Sequence, residues 1–266
     1  MLFRSHTVKI TRSPGAGGLL GLAELIAAHS GDSRYLLIGG MVMMGATASN
    51  RAAISPLDAT PIARLTGEYD VVAVPQASPY RVLDDLLEAI RADPGNVRWV
   101  GGSAGSTDEL LMRQLARAVG VDPQLMPYTA LPGGSEILAR LVNGQSAAGI
   151  SGIVELEGLI QQGQLRGLAI SSPHRLPGVN IPTFDELGIA GLSVMNWRGV
   201  FAAPGISSDD RSRLEDAIHR MTRSAGWQAE LARHHWRDAH QGSAAFTEFM
   251  LTKGAAWLYG DRKSVV

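Results

Sequence analysis

Short apolar runs and helical patterns alternate along almost the whole chain, and this alternation most narrows what the chain can fold into. Residues 35–40, 69–75, 147–150, 165–171 and 196–202 read as strands. Residues 19–28, 78–91, 136–142, 153–161 and 207–223 carry helical periodicity, and two further short helices finish the chain. Such alternation predicts an α/β fold with a largely parallel sheet. Residues 6–11 alternate as well, with Val8 and Ile10 on one face, and read as an additional strand ahead of the others. Residues 35–40 are apolar enough for a buried strand. Beyond them Met41, Met43 and Met44 lie close together, which suits core filler.

One strand–loop–helix stands out for chemistry. Trp99-Val100 leads into Gly101-Gly102-Ser103-Ala104-Gly105-Ser106-Thr107, and Leu110, Leu111, Leu115, Ala118 and Val119 recur at helical spacing beyond it. Ser106, Thr107 or Asp108 can cap that helix. Small residues let the backbone approach a ligand, and unpaired N–H groups at a helix start attract anions. The loop therefore reads as an anion-binding turn. No P-loop lysine follows it, which leaves a nucleoside triphosphate site unsupported. The same residues satisfy G-x-S-x-G, so a serine acyl hydrolase using Ser103 is the alternative reading. That enzyme would need one of His174, His219, His234, His235 or His240, and no HGGG-type oxyanion motif precedes the serine.

Composition excludes several classes. Net charge is −1 and charged residues make up 18%, so no nucleic acid is expected as partner. With no cysteine among 266 residues, disulfides, thiolate metal sites and Cys nucleophiles are all absent. No apolar run approaches the roughly 20 residues of a membrane span. His234, His235, His240 and Asp238 lack metal-ligand spacing, and nothing calls for a metal or a cofactor. Glu155 and Glu157 read as an exposed helix face. Arg198 is a candidate carboxylate fork or an interdomain ion-pair partner.

Both ends carry an unusual signature. Residues 261–266 followed by a stop are what a common sequencing-adapter string encodes, and its reverse complement reads as Leu2 to Ser5. On that reading residues 6–260 are genuine and the open reading frame is a fragment.

Several stretches together resemble one family. They are Ser13-Pro14-Gly15-Ala16-Gly17-Gly18, Thr60-Pro61-Ile62-Ala63-Arg64-Leu65-Thr66-Gly67-Glu68-Tyr69 and the Gly101–Gly105 loop. Arg175-Leu176-Pro177-Gly178-Val179, Pro182-Thr183, Asn196-Trp197-Arg198-Gly199-Val200 and Ala203-Pro204-Gly205-Ile206-Ser207 complete the set. In this order they resemble the extracytoplasmic solute-binding protein of tripartite tricarboxylate transporters, the TctC/Bug family.

The resemblance implies a periplasmic-binding-protein type II-like fold, a Venus flytrap of two α/β domains joined by crossover strands. Domain I would comprise residues 6–72 plus 199–260, and domain II residues 73–198, rocking about strands near 71–74 and 198–201. It implies a periplasmic, monomeric protein, not an enzyme. Such a protein captures a citrate-like tricarboxylate or another small organic carboxylate for the membrane permease of the transporter. Gly102, Ser103, Ala104, Gly105, Ser106 and Thr107 would grip a carboxylate, with Tyr128, Thr129 and Ser151 lining the same crevice. Met43 and Met44 would approach it from domain I. The family carries a strand–loop–helix ahead of what is His6 here, and the first-domain carboxylate loop within it has no counterpart in this sequence.

Overall fold

The computed structural model describes residues 8–131, 134–234 and 236–254. In chain order the elements are α1 (Leu19–Ala28), β1 (Leu36–Gly40), α2 (Met41–Ser49), β2 (Thr60–Pro75) and α3 (Leu83–Ala92). Then come β3 (Trp99–Gly101), α4 (Thr107–Ala118), β4 (Tyr128–Ala130), α5 (Gly134–Val142), β5 (Ala148–Gly152), α6 (Ile153–Gln161) and β6 (Leu165–Ile170). Last are β7 (Met195–Ala202), α7 (Ser208–Thr222), α8 (Ala225–Arg233), β8 (Arg237–Gly242) and α9 (Ser243–Phe249).

The architecture hangs on β2. Its 16 residues are two strands' worth of chain, and at about 3.3 Å per residue they reach through the whole molecule. Residues from Thr60 to Tyr69 pair with β7, and part of that stretch pairs with β8 on its other edge. From Asp70 onward the partners change to β5 and β6. One half of the structure is therefore the sheet β1-β7-β2-β8, and the other is β6-β2-β5-β3-β4. The chain leaves the first half along β2 and returns along β7, so these two strands run antiparallel. Pro61 lacks an N–H and sits at a register shift, where the ladder does not need one.

The expected parallel sheet is corrected by this route. All four partners of β2 are antiparallel, and among the strands named above parallel pairing joins only β3 to β4 and β5, with one isolated parallel bridge from Ile170 to Thr183. The β3–α4–β4 and β4–α5–β5 connections join adjacent parallel strands, and β1–α2–β2 and β5–α6–β6 cross over an antiparallel strand that lies between the pair. Val72 and Val74 of β2 enter a core with Leu86, Ile90, Trp99, Leu111 and Leu115. Val71 and Ala73, pointing the other way, join Ile137, Leu141 and Leu156. The second half is thus covered by helices on both faces. In the first half Trp197 and Phe246 meet edge to face at 5.1 Å between ring centres, and the α2 methionines fill in around them.

Several local expectations change. Residues 8–14 form no regular structure, with Val8 72% and Ile10 86% exposed. Alternation makes a strand only where a neighbouring ladder and a core face exist, and neither does here among the described residues. His6 lies outside the described residues. β1 is not buried, since among the described residues it pairs with β7 alone and leaves Leu36 and Ile38 exposed. α3 starts at Leu83 rather than Ser78, because the Asp85 carboxylate takes the Arg81 and Val82 N–H groups at 2.6 and 3.1 Å. The polar strand β8 is absent from the sequence reading; pairing with β2 creates it, not hydrophobic patterning.

Candidate functional site

β3 ends at Gly101, and the following loop turns back so that the Ser106 N–H donates to the Ser103 carbonyl at 2.9 Å. Gly105 makes this turn possible with φ at 77°, in the left-handed region. Ser106 caps α4 through its hydroxyl, which accepts the Glu109 N–H. Two acids of the first helical turn reach back into the loop. The Gly102 N–H donates to Asp108 Oδ2 at 2.7 Å, and the Gly105 N–H donates to Glu109 Oε2 at 2.7 Å. Arg113 holds Glu109 from the next turn at 2.6 Å. The Tyr128 hydroxyl donates to the Gly102 carbonyl at 2.8 Å and fixes the loop against β4. At the exposed tip, the Ser103 and Ala104 N–H groups have no acceptor among the described residues.

A cavity of about 220 Å³ opens between this loop and the other half of the molecule. Gly102, Ser103, Ser106, Thr107 and Asp108 form one wall, and Ser151 and Glu155 come from the end of β5 and the start of α6. Val42 of α2, Glu68 of β2 and Arg198 of β7 face them from the first half. The halves touch beside the cavity, where Gly45 of α2 lies against the Gly105 carbonyl.

The sequence-derived residues divide accordingly. Gly102, Ser103, Ser106, Thr107 and Ser151 line the cavity. Ala104 is at the exposed tip, Gly105 is buried against Ser49, and Tyr128 braces the loop from behind. Thr129 is half-buried in β4, outside the cavity wall. Met43 and Met44 are corrected: both are buried in the first-half core, and Val42, just before them, faces the crevice instead. A helix turns about 100° per residue, so the face that fills the core is not the face that meets the other half.

Acids are what sequence reasoning missed. Glu68 pairs with Arg198 at 3.9 Å, and Ser151 donates to Glu155. Arg198 donates to Asn196 Oδ1 and to the Trp197 carbonyl. Arg198 therefore both faces the cavity and forms an ion pair, with a partner in the adjacent strand of its own half. Burial pushes Asp108 up to about 6, against the pull of its Gly102 and Thr107 hydrogen bonds. Burial also raises Glu68, with Arg198 opposing. Asp70, 1% exposed, is raised well above the usual carboxylate range by burial and then by Asp108 and Glu68. Among the described residues neither of its oxygens has a close hydrogen-bond partner; the nearby Thr107 hydroxyl, which lies at 3.2 Å from Asp108, still holds its carboxyl somewhat lower. The only signal was local: Asp108 reads as a capping residue and Glu155 as an exposed face, as it is, and neither position announces the other.

For Ser103, the elbow geometry of a hydrolase is not formed. α4 begins at Thr107 rather than directly after the serine, and no described histidine lines the cavity. His235 lies outside the described residues. Among the described residues no group of His, Asp and Glu is arranged to hold a metal, and no helix is long and apolar enough to cross a membrane.

Two α/β halves crossed by shared strands, with a polar crevice between them, define the type II-like fold of periplasmic binding proteins. The sequence matches the tripartite tricarboxylate transporter family receptor, TctC, over residues 4–251, and the chain belongs to that family. The family is that of the receptors of tripartite tricarboxylate transporters. A UPF0065 protein from a tcbD–tcbE intergenic region of Pseudomonas sp. is 28% identical over 217 residues, covering 80% of this chain and 63% of its own. The chain thus spans less than two thirds of that relative's length. A TctC solute-binding protein from Polaromonas, solved without ligand, superposes with a TM-score of 0.75 at 24% identity, over 93% of this chain and 84% of its own. MatC from Rhodopseudomonas palustris, solved with bound malate, gives 0.78 at 22% identity, over 92% and 84%. At these identities the two structures speak for the fold.

Proposed function

We propose that this protein captures a small organic acid in the periplasm, a citrate-like tricarboxylate or another carboxylate, and presents it to the membrane permease of a tripartite tricarboxylate transporter. The observation that carries this reading is the loop tip. Ser103 and Ala104 offer N–H groups without acceptors in a loop before the α4 N-terminus, whose partial positive charge favours an anion. Arg198 approaches the same cavity from the other half with donors suited to a second carboxylate or carbonyl. The bound MatC relative, a malate binder, supports the ligand class.

In this reading the two halves are the moving bodies, and their division falls a few residues before the 72/73 and 198/199 expected from the sequence, because β2 changes partners at Tyr69–Asp70 and the whole of β7 pairs with the first half. Their hinge lies where β2 changes partners near Tyr69–Asp70 and where the chain enters β7. A thermal-shift screen of organic acids tests the function, because a ligand that binds the folded state raises the midpoint by mass action. At least one acid should raise it, and Ser106→Ala with Thr107→Ala should weaken that shift. A folded protein indifferent to every acid in the screen refutes the proposal.

A further inference from the structure

One buried acid takes no part in gripping a ligand. Asp70 sits where β2 exchanges β7 for β5, with Tyr69 opposite Met195 and Asp70 opposite Gly152. Its backbone is held firmly. The Asp70 N–H donates to Ser171 Oγ at 2.9 Å, and the Ser171 N–H donates to the Asp70 carbonyl at 2.9 Å. Ser171, just past β6 and fully buried, also reaches the chain ahead of β7. Its hydroxyl donates to the Val194 carbonyl at 2.8 Å, and its carbonyl accepts the Val194 N–H at 2.9 Å. Both segments that cross between the halves are therefore tied to one residue beside Asp70.

The Asp70 side chain is the opposite case. Both oxygens are buried without a close hydrogen-bond partner among the described residues. Thr107 and Asp108 of α4, Glu68 of β2 and Arg198 of β7 act on it. Glu155 of α6 acts in turn on Asp108 and Glu68, and Tyr128 of β4 feels the charge of Asp70. Arg198, the one cation among these groups, is already committed to Glu68, Asn196 and the Trp197 carbonyl. An ionised carboxylate without donors or water is costly, so this place favours a proton on Asp70.

Resting on the hinge of the reading above, we infer that Asp70 is a positioning residue that sets how readily the halves part, because it keeps a proton while they are together and gives it up as they open. Parting draws Glu68 and Arg198 away from Thr107 and Asp108 and admits water to the crevice floor, where a carboxylate is hydrated. The upward displacement of Asp70, from burial and then from Asp108 and Glu68, supports this. The closed form binds the extra proton, so closure is favoured at low pH and weakens as pH rises from the ordinary carboxylate range through the raised one. Thr107 carries the effect to the loop. Its hydroxyl lies 3.2 Å from Asp108 Oδ1, and Asp108 Oδ2 accepts the Gly102 N–H.

The test uses the ligand-free chain, so it stands apart from the capture reading. The chain has no cysteine, and Ala28→Cys on α1 with Ala118→Cys on α4 puts one spin label on the exposed surface of each half. The distance distribution between the labels, and the radius of gyration from X-ray scattering, are followed from about pH 5 to about pH 8. The ratio of compact to open molecules should fall as pH rises, by up to about tenfold per unit for one proton. Asp70→Asn, neutral at every pH, should hold the compact form and flatten the profile. Asp70→Val removes the polar group altogether and should flatten it too, which keeps the test open if the asparagine impairs folding. A wild-type profile flat in both readouts overturns the inference. A profile as steep in both variants as in the wild type also overturns it and assigns the proton to Asp108 or Glu68. Either result leaves carboxylate capture standing, since the thermal-shift screen judges that separately.

Discussion

Replacing Gly45 by Ala separates closure from folding, because the two effects have opposite signs. A Cβ at Gly45 would sit 2.3 Å from the Gly105 carbonyl oxygen, where ordinary contact begins at 3.4 Å. α2 and the 102–106 loop would have to part by about 1 Å, and both atoms in the way belong to backbone or to the new Cβ, so no flexible side chain can yield. Overpacking of this kind costs roughly 1–3 kcal/mol, and only the closed arrangement bears it. Ligand affinity should therefore fall by about 5- to 150-fold. The open form gains instead, since Ala in place of Gly in a helix interior stabilises by about 1 kcal/mol. Thermal unfolding without ligand, beside calorimetric titration with the best-binding acid, reads both quantities on one preparation. An unchanged or raised midpoint with weakened binding is the expected result. A midpoint lowered by several degrees without ligand, or an affinity that does not move, refutes the idea that this contact belongs to closure.

Three further outcomes follow from the geometry. Trp99 is fully buried in the second-half core, so Trp99→Ala should cost about 3–5 kcal/mol in denaturant unfolding, and a loss below about 1 kcal/mol would contradict that placement. Asp108 keeps its proton to about 6 when folded, against 3.8 for the free side chain, so the folded state binds the extra proton between those values. The stability this confers is present at low pH and lost as pH rises through about 6; Glu68 and Asp70 are shifted the same way. The unfolding midpoint should thus be lower at about pH 7 than at about pH 5, with Asp108→Asn flattening the slope; a flat wild-type profile would contradict the shifts. Tyr128→Phe removes the bond to the Gly102 carbonyl and should cost about 1 kcal/mol, together with severalfold weaker binding, measured by unfolding and titration. Retained affinity would show that the loop does not need this brace.

Local chemistry was legible wherever a residue's neighbours in sequence are also its neighbours in space. The glycine loop, its Ser106 cap and the helix after it follow from the run Gly101 to Leu111, because a strand–loop–helix is built from contiguous residues. The methionine cluster was read as core filler for the same reason, and Met43 and Met44 are core; only the pairing ladder and the helical phase show that Val42 is the residue facing the crevice. The direction of the sheet was not legible. Alternating elements argue for parallel pairing, but one 16-residue strand shared by both halves imposes antiparallel neighbours, and nothing within β2 states which strands will flank it.

The sequence by itself determined the α/β class, the family, and the turn that presents N–H groups at the α4 N-terminus. Periodicity, small residues and capping groups act over a few positions, so they survive being read one after another. Tertiary structure alone decided the electrostatics of the crevice. Glu68, Asp70, Asp108 and Glu155 come from β2, α4 and α6, and each is an unremarkable acid in its own segment. Burial and mutual approach raise Glu68, Asp70 and Asp108, and those are properties of the space between elements, which exists only once β2 has passed through both halves.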